Sequence, residues 1–112
     1  METKAYENFI ELLSRRFSCR KYSAEPVGDD LIEKVVEAAR LAPSACNRQP
    51  WTFVVAPDGV RERLGALCSR PFVAETPTLI AAVGHHDEAW HRTSTDGKDH
   101  TDIDLAIAIE HL

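Results

Sequence analysis

The chain has 112 residues, 44% of them hydrophobic and 28% charged, with a formal net charge of -5 at pH 7, and its composition is that of one ordinary folded domain covering residues 1–112. The acidic balance argues against a protein that coats nucleic acid, which needs clustered cations, and no apolar run approaches the ~18 to 20 residues that cross a bilayer. Met1-Glu2-Thr3-Lys4 leads into an amphipathic stretch rather than a secretory leader, so a soluble cytoplasmic protein is expected.

Tyr6, Phe9, Ile10 and Leu13 recur at i, i+3, i+4 and i+7 and predict a first helix over residues 6–13. A second helix starts near Asp30, whose spacing to Glu33 is that of a capping box, and Ile32, Val35, Val36 and Ala39 line its apolar stripe. Pro43 stops it, because proline disfavours helical backbone in the residue before it. Residues 43–50 then form a polar loop bracketed by prolines. Aromatic and β-branched residues over 51–56 predict a strand, and residues 78–83 a second, interior one. Between them Val60, Leu64 and Leu67 mark a short helix beginning near Asp58.

Thr101 and Asp104 again have capping-box spacing, and Leu105-Ala106-Ile107-Ala108-Ile109 leaves almost no polar face, as in a helix buried on all sides. That helix reaches Leu112 with nothing to close it, which predicts further sequence beyond it. The competing reading is a short protein whose last helix packs against a partner chain. Helices and strands share one core, so a layered mixed fold is expected. Cys19, Cys46 and Cys68 include no Cys-x-x-Cys pair and read as reduced, buried or half-buried thiols.

Two segments carry chemistry. If Arg16-Phe17-Ser18-Cys19-Arg20 is extended, Arg16, Ser18 and Arg20 face one way while Phe17 and Cys19 anchor the strip to the core. Two guanidinium forks and a hydroxyl on one side suit a phosphate. The plainer reading is a solvated basic turn whose arginines pair with Glu11 or Glu25. In Pro43-Ser44-Ala45-Cys46-Asn47-Arg48-Gln49-Pro50-Trp51 the prolines hold hydrogen-bonding side chains in place before a ligand arrives. The plainer reading there is a turn in which Ser44 and Asn47 satisfy nearby backbone.

Arg16-x-Ser18-x-Arg20, Pro26-Val27, and the helix ending Ala38-Ala39-Arg40-Leu41-Ala42-Pro43-Ser44 and running to Asn47-x-Gln49-Pro50-Trp51-x-Phe53 together resemble the N-terminal half of the nitroreductase family. Residues 102–112 are similar to that family's long central helix. The resemblance implies an α+β fold, a three-layer sandwich of helices around a mixed, mostly antiparallel sheet, cut short after the central helix. It also implies a homodimer that holds FMN noncovalently at its interface. By carry-over, Arg16, Ser18 and Arg20 would contact the flavin's phosphate, ribityl chain and pyrimidine edge. Phe17 fills a neighbouring slot where the family often has a polar or basic residue. Pro43, Ser44, Ala45 and Asn47 would approach the flavin from the partner subunit.

The implied activity is hydride transfer from NAD(P)H through FMN to an electron-poor acceptor such as a nitroaromatic or quinone, with no catalytic side chain. The alternative is a truncated flavin-binding module or inactive fragment without turnover. His85-His86-Asp87, His91, and His100 with Asp104 at i, i+4 invite a metal reading, which ranks lower because the spacing matches no compact zinc pattern.

Overall fold

The computed structural model describes residues 2–112. The order is α1 (Glu2–Arg15), α2 (Asp29–Arg40), a 3-10 turn (Ala45–Asn47), β1 (Trp51–Val55), α3 (Asp58–Leu67), α4 (Pro71–Ala74), β2 (Ile80–Gly84), β3 (His91–Arg92), β4 (Lys98–Asp99) and α5 (Thr101–His111). The α+β class expected from the sequence is the one observed. β1 and β2 pair antiparallel, with Trp51 opposite Gly84 and Val55 opposite Ile80, and α3 and α4 carry the chain between them. β3 and β4 make a two-residue-deep hairpin, also antiparallel.

The layers meet at α5, which packs on β1 and β2 and also on α2. Its buried positions are Thr101, Asp104 and Ala108, spaced i, i+3, i+7 on one face. All three are short side chains, so neighbouring backbone can come close. At the sheet the approach requires a glycine, because a Cβ added to Gly84 would lie 2.6 Å from the Thr101 Cγ2. On the other side Ala39 of α2 is wholly buried, and the His111 Nδ1 donates to the Ala38 carbonyl at 3.1 Å.

Several expectations are corrected. The capping box foreseen at Asp30 is not formed. α2 is capped by the extended backbone of Gly28 with no side-chain bond, and Asp29 and Asp30 lie inside the first turn, where their charge favours the positive end of the helix. At α5 the N-cap position is His100, which makes no side-chain cap bond, and the acceptor at the helix start is Asp99, whose Oδ1 accepts from both the Thr101 N–H (2.7 Å) and the Thr101 hydroxyl (2.5 Å). Asp104 is thereby free for another partner. α5 is not buried on all sides either, for Ile103 and Ile109 are exposed. The first helix is longer than its apolar pattern, and every described side chain from Thr3 to Arg16 is exposed, Leu12 by 67%. α4 and the β3–β4 hairpin are additions that the sequence did not signal.

The radius of gyration is 16.7 Å, above the ~13 Å of a compact chain of this length. The apolar faces of α1 and of the outer side of α5 are therefore open. Cys46 and Cys68 are also exposed, against expectation, and Cys19 is half-buried. No described helix is long and apolar enough to cross a membrane.

The close approach at Gly84 sets a test of packing. Gly84→Ala should lower stability by about 1 to 3 kcal/mol through forced overpacking. Gly59→Ala, in α3 with nothing within 4 Å of the added Cβ, should raise it by up to ~1 kcal/mol through helix propensity. Denaturant midpoints that move in the same direction for both variants would show that the α5–sheet contact is looser than described.

Candidate functional site

The basic strip leaves α1 in irregular backbone, with Arg16, Phe17, Ser18 and Arg20 all exposed. The expected alternation fails at Phe17, which is 72% exposed and anchors nothing. The reason is local bonding that bends the strip: the Cys19 thiol donates to the Lys21 carbonyl at 3.0 Å, and the Tyr22 hydroxyl donates to the Cys19 carbonyl at 2.9 Å. Tyr22 supplies the anchor instead, its ring centroid 6.4 Å from that of Phe72 on α4. The competing ion pairs are not made. Glu11 pairs with Arg15 at 3.6 Å, and among the described residues no carboxylate lies within ion-pair distance of Arg16 or Arg20. Residues 12–24 hold four cations, Arg15, Arg16, Arg20 and Lys21, and no acidic residue.

The loop over residues 43–50 is held in unusual backbone. Cys46, Asn47 and Gln49 have φ of 52°, 51° and 51°, the left-handed region, which costs a non-glycine residue about 1 to 2 kcal/mol and is tolerated best by Asn. Such strain persists only where surroundings impose it. Here the Ser44 carbonyl accepts the Asn47 N–H at 2.9 Å, and the Ser44 Oγ accepts the Gln49 N–H at 2.9 Å. The Ala45 N–H donates to the Asp104 Oδ1 at 3.1 Å. Pro50 closes the loop onto the sheet, its carbonyl accepting the His85 N–H at 2.8 Å. Ser44 thus performs the turn-forming role, while its hydroxyl hydrogen stays available to donate outward. Pro43 and Asn47 are exposed, and Ala45 is half-buried.

The two segments sit at opposite ends of α5. The loop bonds to Asp104 in its first turn, whereas Arg16 lines a crevice with Leu12, Leu13, Glu110, His111 and Leu112 at its last. His111 lies seven residue steps along the helix from Asp104, about 10 Å. The structure does not bring Arg16 and the loop together within one chain.

Comparison with known proteins bears on this arrangement. The sequence model of the nitroreductase family matches residues 13–70, more than half of the chain and the stretch that carries both segments. The chain belongs to the nitroreductase family. Among curated relatives, this nitroreductase-family chain is 50% identical over 52 residues to iodotyrosine deiodinase 1 of Rattus norvegicus, covering 46% of this chain and 18% of that protein. It is 36% identical over 86 residues to an NADH dehydrogenase of Thermus thermophilus, covering 69% and 42%. Of solved structures, a nitroreductase family protein from Clostridium difficile 630 superposes with a TM-score of 0.83 at 35% identity, over 91% of this chain and 58% of that one. A protein from Desulfovibrio desulfuricans, solved in complex with FMN, superposes at 0.77 and 23% identity over 91% and 58%, a likeness of fold alone. The chain spans less than half the length of these curated relatives and a little over half of these two solved chains.

Within this nitroreductase-family fold the histidines go to separate tasks. His85 Nε2 lies 2.7 Å from the Thr52 hydroxyl, His86 Nδ1 lies 2.5 Å from the Asp99 Oδ2, His91 Nδ1 donates to the Ala89 carbonyl, and His100 packs edge-on against Trp90. Among the described residues no three of the His, Cys, Asp or Glu side chains converge as metal ligands. The sequence reading missed Asp99 and gave Asp104 a different task from the one it performs. Asp104 had a signal, since it shares the i, i+3, i+7 face with Thr101 and Ala108 and was due to be buried with them.

His86 gives a pH test of the α5 cap. Its pKa is raised above the usual 6.5, first by the hydrogen bond to Asp99 and then by that residue's charge, and Asp99 is held well below the usual carboxylate range by the Thr101 hydroxyl and N–H and by His86. The His86–Asp99 pair is therefore fully present between pH ~4 and ~6.5; it is lost as pH rises through the raised histidine value, and again as pH falls toward the depressed carboxyl value. NMR titration should place the His86 pKa above 6.5 in the parent and lower it in Asp99→Asn. Equal values in both would remove the pair from the cap.

Proposed function

We propose that this chain contributes to an FMN-dependent oxidoreductase, a cytoplasmic homodimer with flavin at its interface, drawing on NAD(P)H. When bound, FMN supplies the chemistry, accepting a hydride from the reduced nicotinamide and passing it to an electron-poor acceptor such as a nitroaromatic or quinone. The protein's own part is binding, orientation and exclusion of water.

One observation carries the reading. A segment with four cations and no carboxylate presents Arg16 and Arg20 to solvent without an ion-pair partner among the described residues, in a chain whose net charge is -5. Cations kept apart from abundant nearby acids suit an anionic ligand, and paired guanidinium forks suit a phosphate. Ser18 between them offers a hydroxyl of the kind that takes a sugar-chain oxygen, and Phe17, being exposed, offers an apolar face beside the same ligand.

The loop supports the second half of the proposal. Pro43, Ser44, Ala45 and Asn47 are fixed by internal bonds and strained backbone, so their surface is shaped before a ligand arrives, which lowers the ordering cost of binding. In this reading one flavin takes its strip from one chain and its loop from a second. The open apolar faces of α1 and α5 are what that second chain would cover, since obligate interfaces resemble a core cut in half. Family membership adds support for the cofactor. The NADH dehydrogenase of Thermus thermophilus adds support for the donor. Kinship to a deiodinase at 50% identity over 52 residues means that the shared residues speak to the cofactor and not to the choice of acceptor.

FMN titration followed by flavin absorbance, paired with NAD(P)H oxidation in the presence of a nitroaromatic, tests the proposal. Binding and turnover are expected in the parent, and Arg20→Ala should weaken FMN binding by ~1.5 to 3 kcal/mol, the range for a lost hydrogen bond to a charged group. FMN bound without oxidation of NAD(P)H would favour a flavin-binding module instead. Undiminished binding in Arg20→Ala would take that residue out of the site.

A further inference from the structure

Asp104 is 2% exposed, and its two carboxylate oxygens are unequally used. Oδ1 accepts the Ala45 N–H at 3.1 Å, whereas Oδ2 is buried with no hydrogen-bond partner. A buried carboxylate with an orphan oxygen is a costly thing to keep in a fold, and the cost needs an explanation beyond packing, since an apolar residue of the same size would avoid it. The position is not needed for the helix start, because Asp99 already takes the Thr101 N–H and hydroxyl. The bond Asp104 does make crosses 59 residues of sequence to the first residue of the 3-10 turn. Immediately after that residue the backbone enters the left-handed region at Cys46 and Asn47 and again at Gln49.

We propose that Asp104 is a positioning residue for the flavin loop: its Oδ1 pins the Ala45 amide to the first turn of α5 and so holds Pro43, Ser44, Ala45 and Asn47 in the one strained conformation that fits the cofactor. This rests on the flavin reading given above. Geometry gives the reason that a single bond suffices. Ser44 and Gln49 tie the loop to itself, Pro50 ties its far end to β2 through His85, and the Ala45–Asp104 bond secures the near end to the helix on which α2 and the sheet both pack. Released at Ala45, residues 45–47 would be free to relax toward unstrained backbone while the rest of the fold stood. The acceptor atom is what the role requires, and the charge is not, since the donor is a neutral peptide N–H.

The test compares Asp104→Ala with Asp104→Asn, which keeps an oxygen in the same place without the charge. Backbone hydrogen exchange is measured first on the FMN-free chain, where flavin plays no part. Exchange of the Ala45 amide should be slow in the parent and in Asp104→Asn, and about tenfold or more faster in Asp104→Ala. FMN titration should then show a Kd raised about tenfold or more in Asp104→Ala and close to the parent in Asp104→Asn, with the amides of α2 and β2 protected in all three. An Ala45 amide that exchanges in the parent at the rate of an unstructured peptide overturns the anchor, whether or not Asp104→Ala folds. So does Asp104→Asn that loosens the loop as Asp104→Ala does. Loop exchange that follows the expected order in a parent with no affinity for FMN would leave the anchor standing and overturn the flavin reading.

Discussion

The narrow face of α5 is the constraint on which the rest of this structure depends. Thr101, Asp104 and Ala108 are small enough to let β2 approach to within contact of a glycine and to let α2 lie against the other side. Larger residues at these positions would push the layers apart. The same face carries a carboxylate where an apolar residue would pack at less cost. Its position in the first turn offsets part of the desolvation, because the unpaired N–H groups of a helix start favour negative charge.

From that face the strain in the neighbouring loop becomes intelligible. Three non-glycine residues within four positions adopt left-handed backbone, an arrangement that a free peptide would abandon. The loop keeps it because its bonds run inward, to Ser44, to Asp104 and through Pro50 to the sheet. Conformations of this kind persist where the surrounding fold over-determines them, and they concentrate where a ligand must be met in a fixed shape. The basic strip is the opposite case. It is bent by local bonds and tied by an aromatic contact to α4, and among the described residues Arg16 and Arg20 have no ion-pair partner. In the proposed reading a rigid wall from one chain and a basic strip from another close on the same cofactor.

Much of this was legible in the sequence, and the failures have physical causes. Apolar residues at helical spacing located α1, α2 and α3, capping-box spacing with an apolar run located α5, and β-branched runs located β1 and β2. Caps were misplaced where backbone or an upstream side chain did the capping: Gly28 has no side chain to signal it, and Asp99 reaches forward two residues. α4 and the β3–β4 hairpin are too short to show a period. Alternation along residues 16–20 assumed a straight strand, and the bonds of Cys19 and Tyr22 bend it, which moved the anchor from Phe17 to Tyr22. Asp104 was visible but was given the wrong task, because capping-box spacing accounted for it before its place on the buried face was considered.

A complementation experiment addresses the central claim, that strip and loop from different chains form one flavin site. A chain carrying Arg16→Ala and Arg20→Ala is co-expressed with one carrying Asn47→Ala and Ser44→Ala, and the mixed species is isolated with two different tags. In the mixed dimer one site gathers all four lesions and the other has none, so FMN should bind at one site per dimer with the affinity of the parent, while neither variant binds alone at that concentration. A mixed dimer with no parent-like site would mean that strip and loop serve the same chain, and would contradict the account.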